Sequence, residues 1–222
     1  MPPLFDSWPD PYERWFQTPI GVLVKTVELE LLLRQVRPHA GEHILDAGCG
    51  SGIFTAPLVE RGARITGLDL SLPMLDRARS RLRDEMFVAA DMGALPFADA
   101  TFDKTVSITA LEFIENGQKA LAELFRVTRP GGRVIVATLN SRSPWAARRQ
   151  ARAEQDEASV FNQAWFRSPE ELLALAPVPG STQSAVHFDK DCDPSEALDI
   201  ERRGRVAGRD DGAFLVGCWR KP

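Results

Sequence analysis

The fold is decided by one stretch of sequence, Ile44-Leu45-Asp46-Ala47-Gly48-Cys49-Gly50-Ser51-Gly52. Its apolar start predicts a buried strand, and three glycines at alternate positions predict a turn into a helix. Glycines are needed there because side chains would keep a ligand away from the main chain, and because such turns use positive φ. The stretch therefore predicts a strand, a ligand-binding loop and a helix, in that order.

The glycine spacing excludes two other kinds of phosphate-binding loop. A dinucleotide-binding loop reads G-x-G-x-x-G, whereas this loop reads G-x-G-x-G and has Ile53 at the position of the third glycine. A Walker loop would continue with Gly-Lys-Ser or Gly-Lys-Thr, which does not follow here. A glycine loop by itself is equally compatible with a structural turn, so its neighbours have to decide its function.

Acidic residues follow the next two predicted strands. Asp69 closes the apolar run Ile65–Leu70, and Asp91 follows Ala89-Ala90. Ligands of parallel α/β sheets bind outside the carboxyl ends of the strands, where a carboxylate accepts both hydroxyl protons of a ribose. We interpret Asp69 as such a carboxylate. The alternative is a helix N-cap, although Ser71 is better placed for capping.

Short apolar runs alternate with helical patterns from residue 43 to residue 140. The predicted strands are His43–Gly48, Arg64–Leu70, Met86–Asp91, Phe102–Ala110 and Arg133–Asn140. The predicted helices between them are Gly52–Arg61, Pro73–Arg83 and Gln118–Thr128. This alternation predicts an α/β fold, a doubly wound and mostly parallel sheet with helices on both faces.

The alternation stops after Asn140. We predict partial helix within Ser143–Ala164 and a helix that begins at Ser168, which is followed by Pro169, Glu170 and Glu171. Two further strands are predicted, and the charged, glycine-containing segment between them is predicted to be a loop. These last three segments are Ser184–Phe188, Ala213–Trp219 and Asp189–Asp211.

The N-terminal region is rich in aromatic residues. Among its prolines, Trp8, Tyr12, Trp15 and Phe16 predict an irregular arm or a short helix. The following segment, residues 20–36, carries two apolar stripes at helical spacing. Either this helix lies between the sheet and the aromatic arm, or one stripe forms a homodimer contact.

Composition places the chain among folded, single-domain globular proteins. Hydrophobic residues make up 44% of the 222 residues and charged residues 26%, and the net charge of −4 gives no general attraction for nucleic acid. The three scattered cysteines and three histidines predict neither a disulfide framework nor a metal site. Without a signal peptide or a membrane-spanning segment, we expect a cytoplasmic protein that is not bound to a membrane.

In the order and spacing of these motifs, the sequence resembles the class I methyltransferases that use S-adenosylmethionine, in particular the small-molecule, type 11-like branch. The resemblance covers residues 43–140. Besides the glycine loop it rests on Gly67–Ser71, Ala90–Met92, Ala94–Phe97, Phe102-Asp103, Leu124–Val127 and Arg129–Arg133. It implies a Rossmann-like seven-stranded sheet of order 3-2-1-4-5-7-6, whose antiparallel last strand would be Ala213–Trp219.

The resemblance also implies S-adenosylmethionine as cofactor, with S-adenosylhomocysteine as product. Asp69 would hold the ribose hydroxyls, Asp91 would accept from the adenine amine, and Met92 would offer its backbone N–H. Asp46 would orient the methionine amino group or merely tie down the loop, and Cys49 would be inert. The full set assigned to the cofactor is Asp46, Gly48, Cys49, Gly50, Gly52, Asp69, Leu70, Met74, Asp91, Met92 and Thr109.

Methyl transfer from a sulfonium needs alignment and exclusion of water more than covalent help, so a base is optional. Glu112 is the candidate base or substrate contact, and a solvated helix-start acid is its alternative interpretation. Tyr12, Trp15 and Phe16 would close over cofactor or substrate, or simply seal the core. Metal ligands are not expected.

Substrate specificity should reside outside the matching segments. We divide the domain into an N-terminal arm and helix, a cofactor core, a substrate insert and C-terminal strands, at 1–40, 43–140, 141–180 and 181–222. The basic segments 142–152 and 202–209 would favour an acidic substrate if they faced the pocket, and are otherwise surface charge. The predicted function is methyl transfer to a small molecule. The alternative is a non-catalytic sensor or partner subunit that binds the same cofactor.

Overall fold

A seven-stranded sheet forms the centre of the computed structural model, which describes residues 4–156 and 159–222. The strands are β1 His43–Ala47, β2 Arg64–Asp69, β3 Met86–Ala89, β4 Phe102–Ile108, β5 Thr128–Leu139, β6 Gly180–Ala185 and β7 Phe214–Arg220. Their order is β3-β2-β1-β4-β5-β7-β6, and β7 is antiparallel to both of its neighbours. The predicted fold class, strand order and antiparallel last strand are confirmed.

Helices cover both faces of this sheet. They are α1 Pro9–Trp15, α2 Pro19–Val36, α3 Ala56–Val59, α4 Leu72–Arg81, α5 Gly117–Val127, α6 Pro144–Ala153, α7 Pro169–Ala174 and α8 Pro194–Val206. Short 3-10 turns lie at Leu111–Phe113 and Val160–Gln163. One apolar core includes α2 and the aromatic arm, and the other, on the opposite side, includes α5 and α7.

The predicted loop at Asp189–Asp211 is wrong, because α8 occupies its middle. Asp193 caps this helix and Pro194 opens it, which are ordinary start signals. The sequence pattern did not predict this helix because it buries only Ala197, Glu201 and Gly204, so its apolar periodicity is weak. A helix of this kind depends on tertiary packing more than on its own pattern.

Other element boundaries moved for local reasons. Only the end of predicted helix Gly52–Arg61 is α-helical, because the glycine loop continues as turns up to residue 55. β5 begins at Thr128 instead of Arg133 and contains Gly131 at a φ of 75°, where the β4–β5 register shifts. The strand predicted at Ser184–Phe188 lies earlier, at β6, since its polar residues show little apolar alternation.

The other predicted elements agree with the structure. The arm contains a short helix, and α7 begins at Ser168 with a capping box formed with Glu171. The segment Ser143–Ala164 is helical in part, as predicted. Residues 1–3 of the predicted arm and residues 157–158 of that segment lie outside the described residues.

The described ranges contain neither a membrane-spanning helix nor a metal-binding cluster. No helix within 4–156 or 159–222 is long and apolar enough to cross a bilayer. In the same ranges, no group of three or more His, Cys, Asp or Glu side chains is arranged to hold a metal ion.

Candidate functional site

The glycine loop is attached to the neighbouring strand β2 by main-chain and side-chain hydrogen bonds. The N–H groups of Gly48 and Cys49 both donate to the Leu68 carbonyl, at 2.6 and 2.9 Å. Asp69 accepts from Gly50 N at 2.8 Å and from Ser71 N at 2.9 Å. Burial raises the pKa of Asp69, and these N–H groups oppose the rise. The carboxylate is therefore held in one orientation at the strand end.

Two loop glycines are required for different reasons. Gly48, at a φ of 79°, packs under the end of β4, where an added Cβ would lie 2.3 Å from the Ala110 Cβ. Gly50, at a φ of 52°, would direct a Cβ into open space with no atom within 4 Å. The loop is thus packed from below at Gly48 and open above Gly50, as a cradle for a ligand needs.

Asp46 lies beneath this loop and is only 1% exposed. Thr55 Oγ1 donates to its Oδ2 at 2.6 Å, while its Oδ1 has no hydrogen-bond partner in the described part of the chain. Burial raises the pKa of Asp46 to about 7, with Thr55 opposing the rise and Asp69 adding to it. A buried oxygen without a donor at this strand end suits the amino group of an amino-acid ligand.

The residues predicted to surround an adenine lie at the ends of β2 and β3. Asp91 is exposed and accepts from Gly93 N at 2.8 Å, while Met74 and Met92 are buried beside the strand ends. Leu70 is 55% exposed, so its side chain is accessible to a flat ligand. Cys49 is buried, and burial holds the pKa of its thiol well above the usual range, so it is unreactive.

A cavity of about 650 Å³ lies beside the loop. Its wall includes Thr109 at the end of β4, Glu112 in the following turn, and the predicted trio Tyr12, Trp15 and Phe16. The loop glycines, Asp69 and Asp91 are not part of this wall, so cradle and cavity are adjacent spaces that meet near Thr109. The structure thus brings the predicted substrate residues together, next to the predicted cofactor residues.

Glu28 and Arg149 also line this cavity, and sequence reasoning missed their importance. Glu28 belongs to α2, where its spacing from Val24, Leu31 and Leu32 places a carboxyl within the apolar stripe. An acidic residue within an apolar helical stripe was the feature of the sequence that could have identified Glu28. Burial raises the pKa of Glu28 to about 8, although Arg149 opposes the rise, and burial raises the pKa of Glu112 to about 7.

The two basic segments have different positions. Arg148, Arg149 and Arg152 of the first segment line the cavity. Arg142 of the same segment instead pairs with Asp210 and, at 2.7 Å, with Glu170. The second segment contributes nothing to the cavity wall and forms surface ion pairs such as Arg205 with Glu30 at 2.6 Å.

The family match lies in the part of the chain that contains the glycine loop, Asp69 and Asp91. A sequence model of the family described as Methyltransferase domain matches residues 45–136. The malonyl-[acyl-carrier protein] O-methyltransferase of Serratia marcescens is 44% identical over 110 residues, which are 50% of this chain and 43% of that protein. The demethylmenaquinone methyltransferase of Renibacterium salmoninarum is 41% identical over 107 residues, 48% of this chain and 45% of that protein.

These matches therefore span less than half the length of both relatives. Over nearly the whole chain, the fold is similar to a solved structure from Thermotoga maritima, described as an S-adenosylmethionine-dependent methyltransferase and possible histamine N-methyltransferase. The TM-score is 0.76 at 23% identity, covering 99% of this chain and 98% of the other. At that identity the likeness shows the fold. The matched range 45–136 includes the glycine loop, Asp69, Asp91 and Glu112.

Proposed function

We propose that this chain, which belongs to the class I S-adenosylmethionine-dependent methyltransferases, transfers a methyl group from that cofactor to a small-molecule acceptor. The observation that carries the proposal is the open main-chain surface above Gly50, held against Asp69 and adjacent to a cavity whose wall includes Thr109. The names of the relatives include acceptors as different as malonyl-[acyl-carrier protein] and demethylmenaquinone, so they support the reaction rather than one acceptor.

The residues of the cradle fit the parts of this cofactor. Asp69 would accept from the ribose hydroxyls, and Asp91 from the adenine amine, with Met92 N–H beside the ring. Leu70 and Met74 would contact the faces of the ring, and the free Oδ1 of Asp46 would accept from the methionine ammonium. Gly48, Cys49, Gly50 and Gly52 would provide the main-chain surface beneath.

When bound, S-adenosylmethionine supplies an electrophilic methyl group on a positively charged sulfur. The protein then has to align the acceptor and exclude water. Tyr12, Trp15 and Phe16 would exclude water from the cavity, and Thr109 would border the transferred methyl. Glu112 would take the proton of an acceptor, because a carboxyl with a pKa of about 7 accepts and releases protons near neutrality.

The first test is binding of S-adenosylhomocysteine, measured by titration calorimetry with Asp69→Asn. Asparagine keeps an acceptor for the Gly50 N–H but cannot receive both ribose hydroxyl protons. We expect a loss of about 1.5–3 kcal/mol, roughly tenfold to a hundredfold in Kd. Asp199→Asn, on the exposed surface of α8, is the matched control. Unchanged affinity in Asp69→Asn would remove the assigned role.

The second test separates an enzyme from a binding module on the same fold. The chain is incubated with S-adenosylmethionine and a panel of small amines, acids, phenols and thiols, and release of S-adenosylhomocysteine is measured. We expect release that depends on the acceptor and continues for many turnovers. Binding of the cofactor without release on any acceptor would favour the non-catalytic sensor or partner subunit.

A further inference from the structure

The wall of the cavity beside Thr109 includes both acidic and basic side chains. Three carboxyls, those of Glu28, Glu112 and Asp46, lie near enough to Tyr12 that, together with burial, they raise the pKa of its phenol. Because Tyr12 and Thr109 contact each other, this acidic end adjoins the site of the transferred methyl. We call Glu28 and Glu112, the two of these carboxyls that line the cavity, the acidic pair.

Cations are gathered along another part of the wall, contributed by α6 and by the segment before α8. This basic cluster consists of Arg148, Arg149, Arg152 and Lys190. Its members are close neighbours, since burial and the three arginines together lower the pKa of Lys190. Arg148 is paired with Asp191 at 2.5 Å, which leaves more positive than negative charge in this part.

Arg149 is the member of the basic cluster whose charge acts on both carboxyls of the acidic pair. Its guanidinium is 5.3 Å from the ring of Trp145 and 5.4 Å from that of Phe161, so two aromatic faces fix its position. Its NH1 atom is buried and has no hydrogen-bond partner among residues 4–156 and 159–222. The guanidinium is thus held in place with a donor left over for a ligand.

The acidic pair also has unused hydrogen-bonding capacity. Glu112 is fully buried, and while Thr138 Oγ1 donates to its Oε2 at 3.1 Å, its Oε1 has no partner in the part of the chain that the structure describes. In the described ranges, neither glutamate forms an ion pair within 4.0 Å of Arg149, although all three line one cavity. A buried cation without an anionic partner is costly, so a ligand that brings an anion to Arg149 and hydrogen-bond donors to the carboxyls of the acidic pair would be stabilised.

Two other largely buried ion pairs differ from the charges of the cavity, because their charged atoms lie within hydrogen-bond distance of each other. Lys104 Nζ lies 2.7 Å from Glu42, and His187 Nδ1 lies 2.9 Å from Glu201. Those pairs complete their own hydrogen bonds and tie elements together. The acidic pair and Arg149 form no such pair among the described residues, and the cavity that they line has the volume of a small-molecule site.

We propose that the methyl acceptor is an amine that also carries an anionic group, with its nitrogen at the acidic pair and its anion at Arg149 and the basic cluster. The inference deepens the proposed function and rests on it. An acceptor with only a carboxylate would give the acidic pair no hydrogen-bond donor and would bring like charge to ionised Glu112, whereas an amine donates N–H groups to both carboxyls.

The reaction balances with groups that are present. The nitrogen lone pair forms the bond to the methyl carbon as the methyl–sulfur bond breaks. The electron pair of that bond stays on sulfur, which leaves neutral S-adenosylhomocysteine, and the displaced N–H proton passes to the ionised carboxylate of Glu112. Glu28 and Tyr12 position the nitrogen beside Thr109.

The test uses rigid probes of similar shape, in the presence of saturating S-adenosylhomocysteine. The probes are para-aminomethylbenzoate, para-aminomethylphenylphosphonate, benzylamine and para-methylbenzoate. We expect either bifunctional probe to bind at least about tenfold more tightly than both monofunctional ones, as an additional charged hydrogen bond provides. Comparison of the carboxylate probe with the phosphonate probe shows which of the two anionic groups the basic cluster binds more tightly.

Variants then locate the two ends. Arg149→Met should remove the advantage of the bifunctional probe over benzylamine while leaving the affinity for S-adenosylhomocysteine unchanged. Arg142→Met, from the same basic segment but outside the cavity, is the matched control. Arg152→Met provides a second variant of the cluster should Arg149→Met fail to fold.

Three results would overturn the inference. Benzylamine as strong as the bifunctional probes would remove the anion site, and para-methylbenzoate as strong as them would remove the amine site. Binding of S-adenosylhomocysteine with no binding of any probe would reject this acceptor class while leaving the proposed function intact. Failure of S-adenosylhomocysteine itself to bind would instead reject the proposed function.

Discussion

At the scale of single residues, Gly48 and Gly50 show that one motif can hold glycines for different physical reasons. Both have positive φ, which favours glycine over other residues. At Gly48 the space for a side chain is filled by Ala110, so packing also excludes a Cβ. At Gly50 that space is empty, and only a ligand would use it. We therefore expect the first glycine to be needed for the fold and the second for binding.

Alanine at each position should separate these requirements. Gly50→Ala should remain folded, with its unfolding free energy lowered by about 1–2 kcal/mol from positive φ, yet lose more than about tenfold in S-adenosylhomocysteine affinity. Gly48→Ala should lose about 1–3 kcal/mol more from the clash with Ala110. Urea unfolding and calorimetry measure the two effects. Binding by Gly50→Ala that equals the unsubstituted protein would contradict the close approach of a ligand.

At the scale of elements, α2 both builds the core and supplies charge to the cavity. Val24, Val27 and Leu31 are buried on it, and Glu28 is buried in the same stripe with its carboxyl at the cavity wall. Burial raises the pKa of Glu28 from 4.5 to about 8, so the folded protein binds a proton that the unfolded chain releases. Stability conferred by this proton is present below the unfolded pKa and is lost as pH rises through the folded pKa.

The difference in stability between the unsubstituted protein and Glu28→Gln should therefore depend on pH. Between pH 4.5 and about 8, the unsubstituted protein should lose up to about 1.4 kcal/mol of unfolding free energy per pH unit relative to the variant. Urea unfolding across this range gives the curve, and Glu30→Gln on the outer surface of α2 measures the effect of substitution itself. A difference that stays flat or grows in the other direction would show that Glu28 is not buried as a neutral acid.

At the scale of the whole molecule, the apolar surfaces of α2 are covered within one chain. Leu31, Leu32 and Val36 are each at most 1% exposed, and Leu29 and Leu33 are partly buried against the same core. α2 packs on α8 and on strands β5, β6 and β7. This packing accounts for the two apolar stripes without a second copy of the chain, and favours the placement between sheet and arm.

We accordingly expect a monomer in solution. Sedimentation equilibrium over a range of micromolar concentrations should fit a single species of the mass of one chain. Val22, 47% exposed on α2, offers a test of the alternative. A dimer that dissociates on Val22→Lys would restore the homodimer contact through residues 20–36.

The strength of local patterns explains which elements were predictable. β1, β2 and β4 are short, apolar and followed by turns, and they lie where expected because burial on both faces leaves a clear signature. α8 escaped prediction because it buries few apolar residues and is held partly by the hydrogen bond of Glu201 to His187, 14 positions away. Contacts across such distances leave no period in the sequence.

The sequence by itself determined the proposed cofactor half of the site, since its glycines and acids follow successive strands and parallel strands bring their carboxyl ends to one edge. Only the tertiary structure decided the acceptor half. Its wall joins Tyr12, Glu28, Glu112, Arg149 and Lys190 from five separate parts of the chain. The physical reason is that the role of a charged side chain depends on its surroundings. Arg149 and Glu28 differ from the paired charges on the surface because they are buried beside a cavity, and residue type alone does not show this.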